Sequence, residues 1–184
     1  MRVYLIGYRG SGKTTVGRLL AEQLQWAFVD TDSEIATTAG TEIKELFESR
    51  GEEEFRRLET DAVNNTSELS ETVISLGGGA CQKQVNRDII NLPGGLAVWL
   101  TGDAETLWQR ISGDQCSEEQ RPSLTDLEGL QEVKQLLDQR HENYAACADY
   151  QIDTRELPPD EIAAKIADWW QSCLLYTSPS PRDS

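Results

Sequence analysis

Short apolar runs alternate with longer segments whose apolar residues recur at helical spacing, the pattern of βα units around a parallel sheet. Strands are expected at 3–6, 27–30, 73–76 and 97–100, with a weaker one at 150–152. Helices are expected at 13–24, 42–64 with a break at Gly51, 83–90, 104–111, 126–148 and 159–171. Asp103 can cap the helix that carries Leu107, Trp108 and Ile111, and Pro159-Asp160-Glu161 suits a first turn. The polar stretch 112–120 has no periodicity and reads as a loop. No internal repeat or linker-like segment interrupts the order, so residues 1–172 are expected to form one α/β domain.

Composition narrows the class. A chain of 184 residues with 38% hydrophobic and 27% charged positions is large enough to bury a core. No apolar run approaches spanning length, and the N-terminus enters a strand directly, so a cytoplasmic protein is expected. The net charge of −15 argues against nucleic acid or an anionic membrane as partner. Any anionic ligand must therefore be held by a local group of cations. Cys81, Cys116 and Cys147 lack metal-ligand spacing and read as reduced thiols. Residues 173–183 resemble one reading frame of a transposase-type sequencing adapter, so the segment 173–184 is set aside as an artefactual tail. On that reading Ser172 does not fix the natural end of the chain.

The chemistry begins at Gly7-Tyr8-Arg9-Gly10-Ser11-Gly12-Lys13-Thr14, which fits G-x-x-x-x-G-K-[ST] between an expected strand and an expected helix. In such a loop the backbone N–H groups turn toward phosphate oxygens, and the helix N-terminus adds partial positive charge. Gly10, Ser11, Gly12, Lys13, Thr14 and Thr15 are the expected phosphate-binding residues. Lys13 can reach the β- and γ-phosphates and Thr14 can ligate Mg²⁺. The motif implies binding of a nucleoside triphosphate. The loop at 112–124 is then a candidate lid, because water must be kept from the γ-phosphate.

Ligands of parallel α/β sheets collect beyond the carboxyl ends of the strands. The second expected strand ends in Asp30-Thr31-Asp32, and the third in Gly77-Gly78-Gly79. Of the two aspartates, one can support a Mg²⁺ shell and the other can accept a proton or hydrogen bond from an attacking hydroxyl. An N-cap with a solvated neighbour is the plainer use of the same pair. Arg56, Arg57, Arg121 and Arg140 are candidates for bidentate binding of an acidic small molecule, or simply surface ion pairs.

The order P-loop, Asp-x-Asp (Asp30, Asp32), Phe-Arg-x-x-Glu (Phe55 to Glu59), Gly-Gly-Gly (Gly77 to Gly79), Arg-Pro (Arg121-Pro122) and Arg-x-x-x-Tyr (Arg140, Tyr144) resembles the shikimate kinase family across residues 1–172. The resemblance implies a three-layer α/β/α fold of the nucleoside-monophosphate-kinase type. Its five-stranded parallel sheet would have the order 2-3-1-4-5, with an acceptor-binding region near 31–60 and a mobile lid. It implies transfer of the ATP γ-phosphoryl group to the 3-hydroxyl of shikimate, a step of aromatic amino acid biosynthesis, by a monomer. Carried over by position, Lys13, Asp32 and Arg121 are catalytic, and Thr14 and Asp30 serve Mg²⁺. Asp32, Arg56, Gly77, Gly78, Gly79 and Arg140 hold shikimate, while Arg110, Arg121 and Pro158 complete the ATP site. Leu76 stands where members often carry Thr, and the stretch from Arg110 to Arg121 looks longer and more acidic than usual.

Other readings keep the fold and change the role: a kinase for gluconate or a nucleotide, a non-catalytic nucleotide-binding paralogue, or one part of a larger aromatic-pathway polypeptide. The lone histidine, His141, reads as a solvated helix position, and Cys81 as a small buried residue. Trp26, Trp99 and Trp108 read as packing residues, and Glu52-Glu53-Glu54 as a solvated helix start.

Overall fold

Alternate residues of one strand feed two different cores. In the computed structural model, which describes residues 1–113 and 129–177, Val3 and Leu5 face one side of the sheet and Tyr4 and Ile6 the other. All four are essentially inaccessible to solvent. That is the signature of a strand covered by helices on both faces.

The sheet has five parallel strands in the order β2-β3-β1-β4-β5. These are β1 (Arg2–Ile6), β2 (Ala27–Asp30), β3 (Thr72–Ser75), β4 (Gly95–Thr101) and β5 (Tyr150–Asp153). The helices are α1 (Lys13–Leu24), α2 (Thr31–Ala39), α3 (Ile43–Thr66), α4 (Gln84–Ile90), α5 (Ala104–Gly113), α6 (Leu130–Cys147) and α7 (Pro159–Thr177). One core packs Val16 and Leu20 of α1 and Ile162, Ile166 and Trp170 of α7 against the sheet, with Trp26 edge-on to Trp170 at 5.1 Å. The opposite core joins α3, α4 and α6 through Val63, Ile90 and Tyr144. A satellite core ties α2 to α3 through Ile35, Leu46, Phe55 and Leu58.

The expected strands and helices are present, with shifts of a residue or two at most ends. Gly51 breaks α3 as anticipated, at φ 81° and ψ 171°. Asp103 caps α5, accepting the Thr106 N–H at 2.7 Å. The element that the hydrophobic pattern does not announce is α2. Among its residues only Thr31 and Ile35 are buried, too few to show a helical stripe. The last helix continues past 171 to Thr177, into the segment set apart from 173 onward. Residues 126–128 of the expected long helix and most of the expected lid lie outside the described residues.

Candidate active site

β1 and β3 are neighbours, so the loops that follow them emerge side by side. The ladder is continued by the Leu76 N–H donating to Leu5 O at 3.1 Å, just before the two loops begin. Gly78 consequently lies against the backbone of the P-loop: a Cβ on it would stand 3.4 Å from Arg9 N and 3.6 Å from Gly7 O. Two loops are thus held together by sheet geometry.

The P-loop enters α1 at Gly12, whose φ of 87° suits glycine and whose residue forms the N-cap. Behind this turn the Lys13 ammonium donates to Gly7 O at 2.9 Å and to Tyr8 O at 2.8 Å, so the lysine is fixed across the loop it serves. Ser11 is buried, while Thr14 and Thr15 are exposed at the start of α1. The Thr14 hydroxyl donates to Asp30 Oδ2 at 2.8 Å. Asp30 Oδ1 caps α2, accepting the Asp32 N–H at 3.1 Å. Capping and support of a cation site, which the sequence leaves as alternatives for Asp30, are therefore compatible: one carboxylate oxygen serves each.

Asp32 is half-buried at the start of α2 and leans on the triple glycine. A Cβ on Gly77 would come within 2.7 Å of Asp32 Oδ1. The Gly77 N–H donates to Thr31 Oγ1 at 3.1 Å, which fastens α2 to this loop. Gly79 gives way to Arg56 in the same manner, since any Cβ there would collide with its guanidinium. Arg56 in turn donates through Nη1 to Glu59 Oε2 at 2.8 Å and through Nε to Glu52 Oε1 at 3.2 Å. Glu59 is 1% exposed, and burial pushes its carboxyl up, with Arg56, Arg140 and Lys83 pulling the other way. From α6, Arg140 Nη1 and the Tyr144 hydroxyl both donate to Gly78 O, at 3.1 and 2.5 Å. Burial pushes the Tyr144 phenol well above its ordinary value, which keeps it a donor.

A cleft of about 1000 Å³ runs between these groups, and Lys13, Thr14, Asp30, Asp32, Gly78 and Arg110 are in its wall. Arg56 and Arg140 stand behind the glycine loop rather than in that wall. At the far end Arg110 donates to Thr154 O at 2.6 Å, to Thr154 Oγ1 at 3.0 Å and to Gly10 O at 3.4 Å. Thr154 opens the loop that leads to the exposed Pro158. Arg121 lies outside the described residues. Glu59, Tyr144 and Thr31 are members of this site to which sequence spacing alone gives no role, although the first two sit in quoted motifs.

The family model for shikimate kinase matches residues 9–171. The chain belongs to the shikimate kinase family. Within that family it is 41% identical over 164 residues to the shikimate kinase of Rhodopirellula baltica, covering 89% of this chain and 87% of that one. Its fold is similar to that of the Acinetobacter baumannii shikimate kinase solved in complex with shikimate, with a TM-score of 0.87 and 35% identity. That match covers 95% of this chain and 94% of the other. The shikimate kinase of Aquifex aeolicus is similar at a TM-score of 0.80 and 34% identity, over 95% and 99% of the two chains. A gluconokinase from Sinorhizobium meliloti shares the fold at a TM-score of 0.58 and 17% identity.

Proposed function

We propose that the protein transfers the γ-phosphoryl group of ATP to the 3-hydroxyl of shikimate. The observation that carries this reading is the apposition of the P-loop with a glycine loop backed by two arginines, Arg56 and Arg140. The first half of such a site suits a triphosphate, and the second a small acceptor with a carboxylate. Family membership supports both halves.

Phosphoryl transfer needs positioning and charge neutralisation more than covalent chemistry. Lys13, held at the loop carbonyls, is placed to exchange those contacts for phosphate oxygens. Arg56 and Arg140 orient the acceptor through its carboxylate, with Gly77 to Gly79 allowing its close approach. Asp32 accepts a hydrogen bond from the 3-hydroxyl and takes its proton as the new oxygen–phosphorus bond forms and the bond to ADP breaks. In a loose transition state that proton leaves late, so Asp32 need not be a strong base. Arg121 of the lid is assigned the charge on the transferring group, and Arg110 and Pro158 the adenine, by position in the family pattern.

The donor set around Thr14 fits Mg²⁺. A hydroxyl and a carboxylate lie 2.8 Å apart, both hard oxygen ligands, at the mouth of a phosphate loop. Thr14 would bind the ion directly and Asp30 through its water shell. When bound, the ion neutralises charge on the β- and γ-phosphate oxygens. Action as a cytoplasmic monomer belongs to the same reading and rests on family resemblance. The net charge of −15 supports the exclusion of nucleic acid and anionic membranes as partners.

The test is ADP release by the purified chain with Mg-ATP, with and without shikimate. Shikimate-dependent release is expected. Release that depends instead on gluconate or a nucleotide would move the acceptor assignment. No release from folded protein that binds ATP would overturn the reading.

A further inference from the structure

The P-loop carries a cation that its motif does not require. Arg9 occupies a variable position between Gly7 and Gly10, yet its side chain lies in the wall of the cleft. Its backbone N is next to the glycine loop, 3.4 Å from where a Cβ on Gly78 would stand. Its guanidinium is 5.9 Å from the centre of the Tyr8 ring, and that of Arg140 is 5.5 Å from the same ring. Tyr8 is 2% exposed, so a rigid aromatic spacer relates Arg9 to the arginine assigned to the acceptor carboxylate.

Arg9 does not dangle. Its Nη2 donates to Glu132 Oε2 at 3.2 Å, and the Glu132 side chain is only 4% exposed. A carboxylate so far removed from water, on the first turn of α6, is a costly anchor for a loop cation that is itself only partly exposed. The second nitrogen of interest, Arg9 Nε, is buried and has no hydrogen-bond partner among the described residues. A charged donor left in that state is unfavourable until an acceptor atom reaches it. In a chain of net charge −15, a guanidinium kept facing an anion-binding cleft in this way calls for a use.

We propose that Arg9 is a further substrate-contacting residue, binding the phosphoryl group as it arrives on the acceptor, and that Glu132 is the residue that positions it. During transfer, negative charge moves from the bridging oxygen of ADP toward the acceptor oxygen. Lys13 is assigned to the donor phosphates, whereas Arg9 lines the same cleft beside the glycine loop assigned to the acceptor. The ligand class is therefore a phosphomonoester on the acceptor, more than the unphosphorylated acceptor itself. This inference rests on the shikimate-phosphorylating reading given above.

The test compares the full chain with Glu132→Gln, Arg9→Lys and the double variant Arg9→Met/Glu132→Gln, which leaves no buried carboxylate without its cation. Shikimate 3-phosphate is used as product inhibitor, and KM is measured separately for shikimate and ATP. The double variant is expected to weaken product inhibition about tenfold and to lower kcat by a similar factor, the scale of one lost charged contact. KM for ATP is expected to stay within about twofold. Glu132→Gln should reproduce part of the loss with Arg9 still present, and Arg9→Lys should retain part of the function. If both Glu132 variants fold and keep product inhibition and kcat within about twofold of the parent, the pair is merely structural and the inference falls. A parent chain inactive toward shikimate would overturn the broader reading and this one together. An active parent with unmoved variants overturns this one alone.

Discussion

Arg56 and Glu59 sit one turn apart on α3 and form a 2.8 Å ion pair in which the carboxylate is buried and the guanidinium lies over Gly79. On the role proposed for Arg56, their relationship decides how an acceptor would be held. The arginine cannot swing away without leaving a buried acid unpaired, so its direction is fixed before any ligand arrives.

Substitution at Glu59 therefore carries a pH signature. Burial raises its carboxyl above the ordinary glutamate value of 4.5, despite the opposing pull of Arg56. The folded state then holds this proton more tightly than the unfolded chain does. The associated stability is fully present below the unfolded value and is lost as pH rises through the higher folded one. Glu59→Gln cannot ionise, so Tm of the variant relative to the parent should climb as pH rises above that ordinary value and then level off. Thermal melts between about pH 4 and pH 8 check this, and a flat difference would contradict it.

Gly79→Ala places a methyl group on the Arg56 guanidinium, and the flexible end of the arginine must move. KM for shikimate is expected to rise about tenfold or more, with KM for ATP nearly unchanged, because the P-loop is untouched. Steady-state kinetics with each substrate varied in turn gives the answer.

Lys13→Ala removes the loop's ammonium together with its bonds to Gly7 O and Tyr8 O. The loss in transition-state stabilisation is expected to be about 3 kcal/mol or more, the scale of a deleted oxyanion donor. Near-native kcat/KM in a variant with a native circular dichroism spectrum would exclude the assigned role.

Asp32→Asn separates two uses of a carboxylate. If Asp32 serves the acceptor hydroxyl, kcat falls steeply while ATP affinity, measured by calorimetry in the presence of Mg²⁺, changes little. Comparable losses in both would assign it to the metal shell instead.

Tyr144→Phe deletes one of the two side-chain donors to Gly78 O. The cost is expected to be about 1 kcal/mol, or roughly 2–4 °C in Tm for a chain of this size. Because Arg140 still holds the carbonyl, KM for shikimate should shift less than in Gly79→Ala.

Much of this architecture is legible in the sequence, for reasons that vary by element. The P-loop is recognisable because its chemistry requires glycine, lysine and threonine at fixed spacing. The buried strands show as apolar runs because both faces are covered. Helix α2 escapes notice because it rests on Ile35 and on packing against α3, and only the cap residue Asp30 marks its start. The Arg56–Glu59 pair is visible as a motif, but its burial depends on what α6 and the glycine loop bring to it. The Arg9–Glu132 contact spans 123 positions, and nothing local in either segment foretells it.

The placement of β1 beside β3 has one more consequence. Adjacent strands lie about 4.8 Å apart, a spacing dictated by backbone hydrogen bonds and indifferent to side chains. The P-loop hangs from one strand and the glycine loop proposed for the acceptor from its neighbour, so on that reading the sheet acts as a caliper for the two reactants. Side chains around the cleft decide which molecules enter and how tightly they stay. The spacing of the two loops belongs to the main chain, so single substitutions at Lys13, Arg56 or Asp32 leave it in place.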